Sequence, residues 1–360
     1  MKQDLKVGIY IPSMNRADFI IRQLEYYATA DCPHPIYIGD SSVPEQAEKI
    51  KAAVSRLKNK LEIVFEDHPG LNVIQSTYKL LQSVKEKYVC YIGDDDFQLP
   101  NSLSKCAEFL ENNPDYATVG GHAVSIRTKN NQVYGEISAI SDYPTGQCLA
   151  ETASQRTLDY LSNYYVPLFY VNRTSQMIKH WENLDLIKDK ALAAEMVPAI
   201  LSIIAGQSKK IDCLSFIRQI HDQHYLLPGT FSWITGQEWP DSFSRSLERL
   251  AASLSETDKI TPEAAGKIIK AGFSIYIQKH LTREQEQHYQ TEIKSGKKNK
   301  FIKLIRRNLV KVFPQLKYIY RVWIKPWRTG KRYLHYEVTL KRSPYYKDFH
   351  SIINILHQVK

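Results

Sequence analysis

Through its first 130 residues the chain alternates short apolar runs with longer stretches in which apolar residues recur every three or four positions. Lys6–Ile11, Pro35–Gly39, Leu61–Phe65 and Tyr88–Ile92 read as buried strands. Arg16–Ala28, Glu45–Lys58, Leu71–Lys85 and Asn101–Glu111 read as amphipathic helices. Apolar strands separated by helices predict an α/β fold: a Rossmann-like, mostly parallel sheet with helices on both faces. Its crossovers should be right-handed and its ligands should sit at the carboxyl ends of the strands. Beyond this half the pattern is less regular. Residues 131–175 are rich in Tyr, 184–206 read as helical, 209–218 as a strand and 243–293 as mostly helical, and 333–360 form a short tail of mixed charge.

The chain has 360 residues, about two domains' worth, with 43% hydrophobic and 24% charged residues, which excludes disorder and coiled coil as its main state. No apolar run reaches the roughly 18 residues of a spanning helix. The first apolar run is too short for a signal core, so no secretory signal is expected. Cys32, Cys90, Cys106, Cys148 and Cys213 are odd in number and widely spaced, which predicts free thiols and a cytoplasmic location. Net charge is +10, but Lys294–Arg332 holds 14 Lys and Arg and no acid, leaving the rest at −4. The basic character belongs to one segment, so a whole-chain nucleic-acid reading loses force.

The strand ends carry the candidate chemistry. After the first strand comes Pro12-Ser13-Met14-Asn15-Arg16. A turn that opens a helix exposes backbone N–H groups suited to phosphate, with Asn15 as cap and Arg16 as an added charge. After the second comes Gly39-Asp40-Ser41-Ser42. Its carboxylate either accepts from a ribose or base N–H or closes an Asx turn. After the fourth comes Gly93-Asp94-Asp95-Asp96-Phe97. Three adjacent carboxylates repel one another, and a cation relieves that cost. Hard oxygen donors suit Mg²⁺ or Mn²⁺ bridging a diphosphate; the alternative is an acidic turn capping the next helix.

With PSMNR, GDSS and YVCYIGDDDF in this order, the chain resembles a nucleotide-sugar glycosyltransferase of the GT-A fold. It is similar to the large inverting family two, and within it to the non-processive bacterial members. The clear resemblance covers about residues 5–130. A looser one, through Pro167–Thr174 and Ala194-Glu195-Met196, runs to about 225. It implies a catalytic domain over 1–230, with a nucleotide-binding half (1–115) and an acceptor half (116–230). A helical region (231–293) and a basic amphipathic extension (294–360) follow. It implies that Asp40 binds the base, that Pro12, Asn15 and Arg16 shape the nucleotide pocket, and that Asp94 and Asp96 are the outer carboxylates of a DxD motif. The first faces ribose or metal and the last ligates the metal, with Asp95 an alternative for either role. Glu195 falls at the position of the catalytic base. The family's Ala-Arg-Asn cluster is replaced by Ser76-Thr77-Tyr78-Lys79, where Lys79 is a candidate for the missing cation. The QxxRW motif is absent, which argues against a processive synthase; its nearest counterpart is Arg218-Gln219-Ile220-His221, and His221 and His224 are candidate metal ligands.

The chemistry so implied is transfer of a sugar from a nucleoside diphosphate, a UDP-sugar by default, to a hydroxyl of a glycan or lipid-linked acceptor in surface-glycan synthesis. A divalent ion, Mn²⁺ or Mg²⁺, stabilises the departing diphosphate. Glu195 removes the acceptor proton, and a single displacement inverts the anomeric centre. Asn163–Tyr170 offers aromatic walls for an acceptor, or packs into the core. A sugar-nucleotide pyrophosphorylase would carry a Gly-rich phosphate loop, and PSMNR has no glycine. A nucleic-acid binder acting through the basic segment leaves the Asp triplet unexplained. In 301–327 apolar and basic residues segregate as on a helix, with Trp323 and Trp327 at one end. This suits peripheral attachment to an anionic inner membrane face or packing on the catalytic domain.

Overall fold

The computed structural model describes residues 5–222, 229–295 and 333–357. The predicted alternation is present: β1 (Val7–Ser13), α1 (Ala17–Thr29), β2 (Ile36–Asp40), α2 (Pro44–Leu57), β3 (Ile63–Asp67), α3 (Val73–Ser83) and β4 (Tyr88–Tyr91). These four strands are parallel in the order β3-β2-β1-β4. The register pairs Ser13 with Asp40 and Asp40 with Asp67, so the carboxyl ends finish level. The chain turns back over β1 to place β4 on its other side. The crevice of such a sheet opens at this reversal, between the loops after β1 and β4.

The second half extends the sheet with antiparallel pairings and one long parallel pairing, β6 with β9. It comprises β5 (Phe97–Gln98), α4 (Pro100–Asn112), β6 (Tyr116–Thr128), β7 (Ile137–Tyr143), α5 (Ala153–Ser162), β8 (Val171–Arg173), α6 (Thr174–Trp181), α7 (Val197–Ala205) and β9 (Gln207–Ile220). The nine strands run β3-β2-β1-β4-β8-β6-β9-β5, with β7 beside β6. Three helices follow: α8 (Thr230–Ile234), α9 (Trp239–Asp258) and α10 (Pro262–Ser295). Strand β6 eludes periodicity because Gly120-Gly121 interrupts it. Both glycines make room: a Cβ on Gly120 would lie 2.1 Å from the Tyr170 ring, and one on Gly121 would lie 2.2 Å from the Cys213 carbonyl oxygen.

Alternation along the strands divides two cores. Val7, Ile9 and Ile11 of β1 face one, with α1, α2 and α4. Tyr10, Tyr37 and Val89 face the other, with α3, α5, α7, α9 and α10. The last described segment, α11 (Leu334–Glu337) and α12 (Tyr346–Leu356), belongs to the first core. Phe349, Ile352 and Ile355 are buried there, α12 packs on α1, and the Gly135 N–H donates to the Leu356 carbonyl at 2.7 Å. Asp142 of β7 accepts from the His335 backbone N–H at 2.6 Å. All five cysteines are buried free thiols. Among the described residues no helix is long and apolar enough to cross a membrane. Most of the basic run, residues 296–332, lies outside the described residues, as does His224.

Candidate active site

The acidic trio sits at the switch point and is fixed from below. Helix α1 presents Arg22 and Gln23 to the loop after β4. Gln23 Nε2 donates to the carbonyls of Gly93 (3.0 Å) and Asp96 (2.6 Å), and Arg22 Nη2 to that of Asp95 (2.6 Å). Arg22 also donates to the Gln219 side-chain oxygen, tying the loop to the end of β9. Its complete burial lowers its pKa to about 10. A Cβ at Gly93 would meet Asp95 Oδ1 at 2.7 Å, so a side chain there would displace that carboxylate.

The carboxylates have protein partners. Asp94 Oδ1 pairs with Arg16 at 2.9 Å, and its Oδ2 accepts from the Ser13 hydroxyl at 2.9 Å. Asp95 Oδ2 meets Arg16 at 3.0 Å and His221 Nε2 at 2.8 Å. Asp96 Oδ1 accepts from the Gln219 N–H at 2.8 Å. Burial, followed by the neighbouring Asp95, pushes Asp94 up to about 6 and Asp96 well above the ordinary carboxylate range. Arg16 bonds and the Ser13 bond pull Asp94 back, and the fields of Arg218 and Arg22 pull Asp96 back. The cation expected from the repulsion argument is therefore supplied in part by guanidinium groups of the chain itself.

The base side of the crevice is arranged differently from expectation. Asn15 does not cap α1. Arg16 occupies the N-cap position with no side-chain cap bond, and Asn15 is left-handed, with φ 58°. It clips the two loops together: its N–H donates to Ser42 Oγ at 2.7 Å and its Oδ1 accepts from the Val43 N–H at 2.9 Å. Pro12 pairs with Gly39 in the sheet. Asp40 Oδ1 closes the Asx turn to Ser42, accepting from its N–H at 3.3 Å. Among the described residues its buried Oδ2 has no hydrogen-bond partner, nor do the buried Ser41 Oγ and Thr77 Oγ1. A buried acceptor left unpaired is costly, and a ligand N–H would satisfy it. Burial raises the Asp40 pKa. Lys79 is exposed on α3 and makes no ion pair among the described residues, so it is not brought to the trio.

Glu195 lies in a π-helical turn, Leu192–Met196, in which the Val197 N–H reaches back to the Leu192 carbonyl. The sequence explains the widening. Pro198 has no N–H for Ala194, and its ring would clash with that carbonyl in a regular helix. The turn is capped by Asp189, whose Oδ1 accepts from the Leu192 N–H at 2.9 Å and whose Oδ2 accepts from Trp233 Nε1 at 2.9 Å. Glu195 is half-buried, and its Oε1 accepts from the Tyr164 hydroxyl at 2.6 Å. Burial raises its pKa, against the Tyr164 bond and the Arg218 field. Arg218 thus acts on both Asp96 and Glu195. It donates to the Tyr143 hydroxyl at 3.2 Å, above Phe216 and Phe169, whose rings are 4.9 Å apart.

Of the residues singled out by sequence, Arg16, Asp94, Asp95, Asp96 and His221 are brought together directly, Pro12, Asn15 and Asp40 line the neighbouring strand ends, and Glu195 is linked through Arg218. Of the aromatic run, Tyr165, Leu168 and Tyr170 are core, while Tyr164 holds Glu195. Arg22, Gln23, Tyr143 and the contacts of Gln219 were not foreseen. Their signal is a cation and an amide on a helix turned toward the sheet just after β1. Among the described residues no group of three or more His, Cys, Asp or Glu side chains forms a metal cage.

No family model and no curated protein matches this chain. Among solved structures, it is similar to residues 1–349 of TarS from S. aureus: 14% identity, 76% of this chain and 72% of that chain covered, TM-score 0.47. The same piece in complex with UDP-GlcNAc gives 13% identity, 76% and 73% coverage and TM-score 0.47. In complex with UDP it gives 14%, 73% and 69%, and 0.44.

Proposed function

We propose that this chain is a glycosyltransferase that moves a sugar from a nucleoside-diphosphate donor, a UDP-sugar in the first instance, to a hydroxyl acceptor with inversion. The observation that carries the reading is one continuous set of polar groups: the unpaired Asp40 oxygen, Ser13 bridging to Asp94, the buried trio, and Arg218 between Asp96 and Glu195. The family resemblance in the strand-end motifs agrees with it. Asp40 Oδ2 accepts from a base N–H. Arg16 and Arg218 supply positive charge beside the trio, where the diphosphate oxygens lie in this reading. Glu195, as carboxylate, takes the acceptor's proton as its oxygen attacks the anomeric carbon, and the electrons of the broken bond leave with the diphosphate.

The trio fits a hard divalent ion in donor type. Asp95 Oδ1 and Asp96 Oδ2 lie 2.7 and 3.6 Å from the point where a Gly93 Cβ would stand. Mg²⁺ and Mn²⁺ are commonly held by one or two carboxylates together with phosphate oxygens and water, so a preformed cage is not required. Asp96, with Asp94 or Asp95, would hold the ion, and its chemistry there is neutralisation of the leaving diphosphate. His221 is committed to Asp95 and acts on such a site only through it. The acceptor in this reading is a glycan or a lipid-linked saccharide, and the basic run 294–332 brings the enzyme to an anionic membrane surface. Flotation with anionic liposomes, before and after excision of that run, tests the last point.

The central test is thermal shift with a panel of nucleotide sugars, with and without Mn²⁺. One donor should stabilise the chain by mass action, and Asp96→Ala should abolish the Mn²⁺-dependent part. No shift with any diphosphate nucleotide, or a shift undiminished in Asp96→Ala, rejects the proposal.

A further inference from the structure

The arrangement around Glu195 extends beyond its own turn. Tyr164 follows α5, and its ring is seated between Tyr160, at 5.3 Å, and Tyr276 of α10, at 5.1 Å. That seat fixes the direction of the hydroxyl, which meets Glu195 Oε1 at 2.6 Å. Among the described residues Glu195 Oε2 receives no hydrogen bond, so one carboxylate oxygen is held and the other is left to meet a substrate. We infer that Tyr164 is a positioning residue: it aims the Glu195 carboxylate and keeps it in the proton-accepting form. This rests on the assignment of Glu195 as the base.

A charge-assisted bond of this length stabilises the ionised acid selectively. It opposes the burial that pushes Glu195 toward protonation. The other groups facing Glu195 are Tyr143 of β7, Tyr160 of α5, Tyr276 of α10 and Arg218 of β9. Burial holds the Tyr143 phenol up at about 12 and raises those of Tyr160 and Tyr276, while Arg218 stays charged. None of them changes state between pH 5 and 9, so a change in Glu195 titration on loss of the Tyr164 hydroxyl reports that hydroxyl. Without it the carboxylate is both less ionised and free to rotate. The base would then be lost as a matter of pH, not of fold.

Tyr164→Phe keeps the ring and its two aromatic contacts while removing the donor. Two measurements on the full chain test the inference. The first, without substrate, follows the Glu195 carboxyl by isotope-edited infrared titration, its band assigned by comparison with Glu195→Gln. In Tyr164→Phe the midpoint should rise by about one pH unit, the scale expected of one hydrogen bond to a charged group. The second is the pH profile of turnover. Its acid limb should move up by the same amount, with about tenfold loss below the limb, a much smaller loss above it and unchanged donor KM. An unmoved carboxyl midpoint, or an equal loss at every pH with altered KM, overturns the inference. Absence of sugar transfer by the unaltered chain would reject the functional reading instead, and the carboxyl titration alone would then decide the part played by Tyr164.

Discussion

Asp96 and Glu195 both feel Arg218, yet they are held in different ways. Asp96 belongs to a loop bolted through its backbone by Arg22 and Gln23, and its carboxylate accepts from the backbone N–H of Gln219. Its neighbours share Arg16, Ser13 and His221. Glu195 stands on a widened helical turn, and among the described residues one phenol bonds its carboxylate. The first arrangement is redundant and resists the loss of one partner. The second depends on a single bond and lets the group's protonation be set by what surrounds it. Redundancy suits a group that must hold charge in place, and a single bond suits one that must exchange a proton.

The largest expected effect is at Glu195. Glu195→Gln keeps the shape and removes the proposed base, so turnover should fall about 10²–10⁴-fold while nucleotide binding persists. Calorimetry with the donor nucleotide, set beside steady-state rates, checks both halves. Loss of binding in parallel with rate would erase the distinction from Asp96. At Asp96 the replacement by Asn should cost about 10²–10³-fold in turnover. It should also raise the melting temperature, because a buried carboxylate disfavoured in its charged form gives way to a neutral isostere. A variant that loses stability together with activity would mean that the trio is a structural ion cluster.

Gly121→Ala tests the seam between β6 and β9. The added methyl meets the Cys213 carbonyl at 2.2 Å, so β6 and β9 must separate locally, at a cost of about 1–3 kcal/mol. Chemical denaturation measures it, and a neutral result would show that the two strands are not tightly seated. An effect of similar size is a pH dependence. Asp94 is raised in the fold to about 6, first by burial, so the folded state holds its proton more tightly than the unfolded chain. Its contribution is most favourable below pH 4 and is lost as pH rises through about 6, by about 2–3 kcal/mol in full. The stability difference between Asp94→Asn and the unaltered chain should therefore widen from pH 4 to 7. A flat difference would place Asp94 in a well-solvated pair instead.

The trio, the strand-end loops and the parallel half were legible because each is local: a strand, a turn and a helix written in consecutive residues. Glu195 was legible only through resemblance, since the π turn arises from Pro198, three residues further on, and the Tyr164 contact joins distant parts of the chain. Gly120-Gly121 hid β6 for a tertiary reason, the space taken by Tyr170 and Cys213. Asn15 was assigned to capping α1 because its actual partners lie in the next loop, which only the sheet brings near. Arg16 was singled out, but the parts that Arg22 and Arg218 play beside the trio were missed for the same reason. Arg22 and Arg218 are ordinary cations in the sequence and become part of the site only when α1 and β9 converge on the loop after β4.

The last described segment has a practical consequence. Because α11 and α12 are seated on β7 and α1, the Lys- and Arg-rich stretch lies between two packed parts of the chain. Truncating the protein at residue 294 would strip Phe349, Ile352 and Ile355 from one core and expose the helix that braces the acidic loop. Replacing its Lys and Arg residues by neutral polar ones would remove the charge and leave α11 and α12 attached.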